Sequence, residues 1–268
     1  MKRLLLLISV FCILASASYG ANDFSGDANC KALWRFESGA VPFLADSKGG
    51  NTLTNSGVDE DTVNFREGLC SGLWVRANTD RMTIADAALD AGFPLKNGEA
   101  NKTFSFPFRI KLTQIDITHY ILIKTGGTDK KQVLIYVVNN KVTLYTSSDG
   151  ISWDGNVQHG TVLAAGIWYY ICVTYNADDY SVRIQIYDAN AGEKLGVDKT
   201  GTAGDIFITD GSFYLGYPSS SLTLDGNLDE AVVFDRVLTE NEIDQIFAGN
   251  YGAAPPAKRG RIIMVEEF

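Results

Sequence analysis

The chain has 268 residues, 46% of them hydrophobic, and a formal net charge of −9. That acidity disfavours nucleic acid and anionic membranes as partners; it is compatible with divalent cations and with neutral ligands such as glycans. Two histidines, His119 and His159, are too few for a multi-histidine zinc site and weaken any serine–histidine–aspartate nucleophile.

Residues 1–20 read as a secretory signal peptide. Lys2 and Arg3 precede an apolar run over 4–15 that is short for a bilayer span, and the small residues Ala15, Ser16, Ala17, Ser18 and Gly20 follow. The expected organisation is a signal at 1–20, one domain at 21–252 and a tail at 253–268, with no membrane span after cleavage. Three cysteines then remain, so at most one intrachain bridge can form. Cys30 and Cys70 both flank expected strands near the N-terminus and are the expected pair. Cys172 reads as a buried free thiol.

Period-two alternation dominates the rest. In residues 104–112, Phe104, Phe106, Phe108, Ile110 and Leu112 share one face of a strand. Pro107 removes a ladder donor, which predicts an edge or a local bulge there. Residues 132–147 form two runs around Asn139-Asn140, a two-residue hairpin signal. Residues 180–187 alternate again, and 166–182 read as a strand, a polar turn and the start of the next strand. Roughly a dozen candidate strands separated by turn signals predict an all-β, two-sheet antiparallel sandwich. One short helix interrupts this, over 238–250. Thr239 and Glu242 form a capping box, Ile243, Ile246 and Phe247 an apolar stripe, and Gly249 a stop. Beyond it, Pro255-Pro256 reads as a linker, followed by "KRGRIIMVEEF".

Residues 226–247, "GNLDEAVVFDRVLTENEIDQIF", resemble the C-terminal signature of LamG-like jellyroll domains of the concanavalin A-like lectin/glucanase superfamily. The matching features are Gly226, Leu228-Asp229-Glu230, the run Val232-Val233-Phe234, the Arg236-Val237-Leu238 corner and the capped helix. "ALWRFESGAVPFLADSKGGN" (32–51) resembles the family's first strand and Asp-Ser-x-Gly-x-Asn loop, and "GIWYYICVTYN" (166–176) a later strand. Tyr169 and Tyr170 stand where the family often has His. The resemblance spans 30–252. It implies a jellyroll whose chain ends meet, with calcium clamping them through Asp46, the Gly49 carbonyl, Asn51 and Asp229.

The residues themselves exclude two other chemistries. An EF-hand counted from Asp225 would need Gly at Glu230 and Glu at Arg236. The glucanase Glu-x-Asp-x-x-Glu run is absent, and Asp229 and Glu230, being adjacent, are expected on opposite faces of a strand. The chain is therefore expected to be non-enzymatic. A glycan or surface glycoprotein is the expected partner, met by Trp153 with Asp149, Asp154 and Asn156 in one polar loop and by Tyr217 in another. A structural, adhesive protein that self-associates through its C-terminal tail is the alternative.

Overall fold

The computed structural model describes residues 22–38, 43–126 and 129–252. The expected signal peptide and tail lie outside the described residues. In chain order the first strands are β1 (Cys30–Trp34), β2 (Thr54–Ser56), β3 (Asp59–Asp61), β4 (Ser71–Trp74), β5 (Arg81–Ile84) and β6 (Phe104–Leu112). Then come β7 (His119–Thr125), β8 (Lys131–Val138), β9 (Lys141–Thr146), β10 (Gly155–Gln158), β11 (Trp168–Tyr175) and β12 (Ser181–Asp188). The last are β13 (Glu193–Lys194), β14 (Lys199–Thr202), β15 (Ser212–Gly216), β16 (Gly226–Asp229) and β17 (Ala231–Phe234), followed by helix α1 (Glu240–Phe247).

These strands form two antiparallel sheets packed face to face. The larger has ten strands, with the path β13-β12-β11-β6-β16-β4-β3 and with β1, β14 and β17 attached to it. The smaller runs β10-β9-β8-β7-β15-β5-β2. The alternating phenylalanines of β6 point into the sandwich and meet Val133, Ile135 and Val137 of β8 and Phe213 and Leu215 of β15. Burial of this apolar face, at about 25 cal/mol per Å² removed from water, is the main stabilising contribution. Local signals hold as well. Asn139 and Asn140 both have positive φ (51° and 59°), which matches the right-handed strand twist in the β8–β9 hairpin.

The two outer faces differ. The larger sheet is roofed by α1 and the N-terminal segment: Ile243 and Ile246 pack with Phe24, Leu33, Tyr170, Val232 and Phe234. The capping box of Thr239 and Glu242 is formed. At the other end Gly249, with φ 68°, lets its own N–H reach the Ile246 carbonyl (3.1 Å) and that of Asn250 reach Gln245 (3.0 Å). Among the described residues no helix lies on the outer face of the smaller sheet, and that face carries the site described below. Among the described residues no helix is long and apolar enough to cross a membrane.

Three expectations are corrected. Pro107 is not in an edge strand, but the ladder on one side of it is locally bulged, between Arg109 and Ser105. It pairs with Cys172 in a central strand. It is tolerated because β6 pairs on its other side with β16 only as far as Arg109 and with β17 only at Ser105. Secondly, Cys30 and Cys70 are free, buried thiols, like Cys172. Cys70 Sγ donates to the Phe36 carbonyl (2.9 Å), whereas Cys30 Sγ faces the Ala32 carbonyl (3.8 Å). The strands they introduce are not neighbours, since β1 pairs with β17 and β4 with β16 and β3.

The third correction concerns Asp229 and Glu230. From Asp229↔Arg109 to Phe234↔Ser105 one strand advances five residues and its partner four. The extra residue is Glu230, with φ 48°, a β-bulge. Leu228 and Ala231 consequently both point into the core, and both intervening carboxylates point out on one face.

Candidate functional site

The outer face of the smaller sheet is built from residues that alternate with its core positions. Cross-strand pairing places Asn156, Tyr145, Leu134, Ile123, Tyr214, Thr83 and Thr54 directly opposite one another from β10 to β2. Directly paired residues share a face, so these seven form one ladder across every strand. A second row holds Gln158, Thr143, Tyr136 and Tyr120.

Six aromatic rings run without a break over these rows. Trp153 stacks on Tyr145 (centroids 6.2 Å, interplanar 25°), Tyr145 meets Tyr136 (5.1 Å) and Tyr136 meets Tyr120 (5.8 Å). Tyr120 then meets Tyr217 (5.6 Å), which meets Tyr214 (5.9 Å). Tyr136 is buried as their floor and the other five are half-buried. A groove of about 140 Å³ lies between Trp153 with Lys131 and Tyr217 with Leu222, over Tyr120 and Ile123. Lys131 Nζ sits 5.9 Å above the Trp153 ring and donates to the Ile151 carbonyl (2.6 Å). Burial raises the Tyr120 and Tyr136 phenols, which remain neutral donors at physiological pH.

The structure brings together three of the five loop residues expected to meet a ligand. Trp153 and Tyr217 line the groove, and Asn156 projects beside Tyr145. The two acids do other work. Asp149 accepts from the Ile151 and Ser152 amides (both 2.7 Å), and those bonds hold its carboxyl below the usual range. Asp154 accepts from the amide and hydroxyl of Ser148. Both brace the loop that presents Trp153. Sequence reading missed Tyr120, Tyr136, Tyr145 and Tyr214. Each alternates with apolar residues in its strand, but only the pairing register shows that they share one face.

The expected calcium ligands do not assemble. Asp46 bridges Trp34 on one side of β1, and Ala231 pairs with the same Trp34 on the other. Asp46 is thus separated from the Asp229 segment by two strand spacings, about 10 Å. The Asp46 carboxylate is already saturated. Oδ1 accepts from the Leu33 and Lys48 amides (both 2.8 Å), and Oδ2 from the Asn51 amide (3.2 Å) and side chain (2.9 Å). Asn51 Nδ2 also donates to the Lys31 carbonyl (3.0 Å) and Asp90 (3.2 Å), so an amide stands amid the oxygens where a cation would have to sit. Gly49 is needed for space, since a Cβ there would lie 2.7 Å from Asp90 Oδ2. Among the described residues no group of three or more His, Cys, Asp or Glu could hold a metal ion. These residues do not fit calcium, which takes six to eight oxygens. The melting temperature is therefore expected to be the same with and without excess EDTA; a drop of several degrees on chelation contradicts this.

The Glu230 bulge opens onto a buried charge cluster. Glu230 Oε2 accepts from Arg109 Nε (3.3 Å), and Arg35 Nη1 lies 3.2 Å from Glu67 and 3.6 Å from Glu230. Asp229 Oδ2 accepts from the Arg66 (2.7 Å) and Glu67 (3.0 Å) amides, while its buried Oδ1 has no hydrogen-bond partner among the described residues. Burial pushes the Asp229 carboxyl up to about 7, and burial also raises that of Glu230 well above its ordinary value. Asp229 and Glu230 are 0% and 3% exposed, so despite sharing a face both are buried.

A carboxyl raised on folding favours the native state fully below its unfolded value near 3.9, and that contribution is lost as pH rises through its folded value. For Asp229 the window is roughly pH 4 to 7, and the loss is on the order of 4 kcal/mol. Asp229→Asn keeps an acceptor for both amides and removes the charge. Its melting temperature is expected to fall less than the parent's between those pH values, in thermal melts across the range. Parallel curves for the two proteins would count against this assignment.

In sequence, no curated protein matches the chain. In structure, it is similar to domain 4 of AbnA, a GH43 extracellular arabinanase from Geobacillus stearothermophilus, solved in complex with arabinotriose. That match has a TM-score of 0.56 at 14% identity and covers 81% of this chain and 98% of that one. The binding domain of botulinum neurotoxin serotype D matches with a TM-score of 0.59 at 12% identity, over 82% of this chain and 52% of that one. At these identities the likeness shows a shared fold, and the chain spans about half the length of the toxin domain. Residues 76–244, more than half of the chain, match the Laminin_G_3 family model, and the protein belongs to the concanavalin A-like lectin/glucanases superfamily.

Proposed function

We propose that the protein is a secreted, non-catalytic jellyroll that binds carbohydrate, free or on a surface glycoprotein, through the open face of its smaller sheet. The observation that carries this reading is the unbroken row of six rings flanked by uncharged hydrogen-bonding groups. Sugar rings present apolar C–H faces, which stack on aromatics, and hydroxyl edges, which bond to groups such as Asn156, Thr143 and Thr83. A domain of the same fold holds arabinotriose, which supports the choice of ligand class. The non-catalytic part rests on Asp229 and Glu230, whose carboxylates are sealed within the charge cluster. Affinity electrophoresis through a panel of neutral polysaccharides, with reducing ends assayed alongside, tests both parts. Retardation by at least one polysaccharide without release of reducing ends is expected. No retardation by any of them, or hydrolysis of the one bound, sinks the reading.

A further inference from the structure

The arginines of the described residues are all engaged with one exception. Arg35, Arg109 and Arg236 are ion-paired. Arg66, Arg76 and Arg81 donate to backbone carbonyls. Arg183 alone has no side-chain hydrogen bond, ion pair or ring contact among the described residues.

Arg183 lies on the outer face of the larger sheet, on the side of the sandwich away from the aromatic row. It pairs directly with Thr174 of β11 and Thr200 of β14, and directly paired residues share a face. The rows on either side, Val173 with Ile184 and Tyr175 with Val182, point into the core. The half-buried guanidinium therefore has a threonine on each side, one strand spacing of about 4.8 Å away. Thr174, Arg183 and Thr200 form the floor of a groove of about 510 Å³, and the chain from Val237 to Glu240 forms its wall. That is the size of a small-molecule site.

The charges around the groove select the ligand. Glu240, at the rim, is bonded to Lys194 (2.7 Å), which also holds Asp198 (2.7 Å). Lys194 first, and Arg183 after it, keep the Glu240 carboxyl below its ordinary value. Thr239 and Glu242 already cap α1, so Arg183 and not the helix start supplies the attraction. A free guanidinium fork matches one carboxylate, with two parallel N–H bonds to its two oxygens. The flanking hydroxyls can add their own donors. The rim acid, on a chain of net charge −9, disfavours a polyanion. Val237, 40% exposed on the wall, offers an apolar surface to the rest of the ligand.

We propose that this groove binds a small organic acid, one carboxylate on a compact apolar body, with Arg183 as its anchor. It does not rest on carbohydrate binding, which uses the opposite face of the sandwich.

The test is nitrogen-15 NMR of the labelled protein at low ionic strength, with benzoate as the probe and benzamide and sulfate as controls. Benzoate should shift the Arg183 side-chain N–H and the backbone amides of Thr174, Thr200 and Val237 in a saturable way. Benzamide lacks the charge and sulfate lacks the apolar body, so each should bind more weakly by roughly tenfold or more. Arg183→Gln should weaken benzoate by a similar factor, the loss of a charged bidentate contact. Its melting temperature should match the parent's, because no partner within the protein is lost. Benzoate that leaves these resonances unmoved overturns the proposal, as does benzamide or sulfate binding as tightly as benzoate. Unchanged benzoate affinity in Arg183→Gln, or a melting temperature lowered by several degrees, also overturns it. None of these outcomes touches the carbohydrate reading.

Discussion

Replacing Arg109 by methionine is expected to lower the unfolding free energy by about 3–5 kcal/mol at neutral pH. Arg109 is 4% exposed and lies under the Glu230 bulge. Its Nε is 3.3 Å from Glu230, its Nη2 3.5 Å from Glu67, and its guanidinium carbon 5.6 Å from the centre of the Tyr170 ring. Burial alone would disfavour its charge, but Glu230 and Glu67 more than offset that and raise it. Methionine matches the stem and loses the fork. Glu230 is then left with Arg35 as its remaining ion-pair partner, and with Asn22 as a neutral donor at 3.3 Å. The penalty arises because the desolvated acids Glu230 and Glu67 lose the cation they share, and not from lost packing. Adding Glu230→Gln to the same variant should therefore recover a substantial part of it. Urea unfolding at pH 7 reads both numbers; a loss below about 1 kcal/mol for the single variant contradicts the role assigned to Arg109.

The jellyroll was legible because its signals are local. Asn139-Asn140 demands positive φ, and Thr239 with Glu242 satisfies helix amides within four residues. The alternating phenylalanines of β6 all fall on the face that meets the core between the sheets. The bulge was less legible, because an extra residue is defined by what the neighbouring strand does. Its trace in "LDEAVV" is the three-residue step from Leu228 to Ala231, two polar residues between apolar ones, where strict alternation allows one. Asp46 misled for a different reason. Oxygen-rich loops suit cations and N–H donors equally, and in the folded chain four N–H groups claim its carboxylate. Trp153 and Tyr217 stood out as loop aromatics 64 positions apart. That they face one groove follows from the β10-β9-β8-β7-β15 order, which no local pattern encodes.

The second large effect concerns that groove. Trp153→Ala and Tyr217→Ala should each cost about 2 kcal/mol of binding, the cost of losing a well-packed aromatic anchor, or roughly 30-fold in Kd. The double variant should fall by 100-fold or more. Stability should change by about 1 kcal/mol for Tyr217, which lies half-buried just past β15 against Tyr120 and Tyr214. It should change somewhat more for Trp153, whose ring covers Tyr145 and supports Lys131. Asp154→Asn, in contrast, should act only through the loop. It loses a charged acceptor for the Ser148 amide, so its effect on Kd should be smaller than that of Trp153→Ala and should be accompanied by loosening of residues 147–154.

The most direct measurement is tryptophan emission during titration with a polysaccharide that the protein binds. Of the four tryptophans, Trp34, Trp74 and Trp168 are 0%, 0% and 5% exposed, which leaves Trp153 as the reporter open to ligand. Binding at the open face should shift emission to shorter wavelength and shield it from acrylamide, with the same midpoint as calorimetry, and both changes should vanish in Trp153→Ala. Saturable binding that leaves the emission of Trp153 unchanged would place the glycan elsewhere on the molecule.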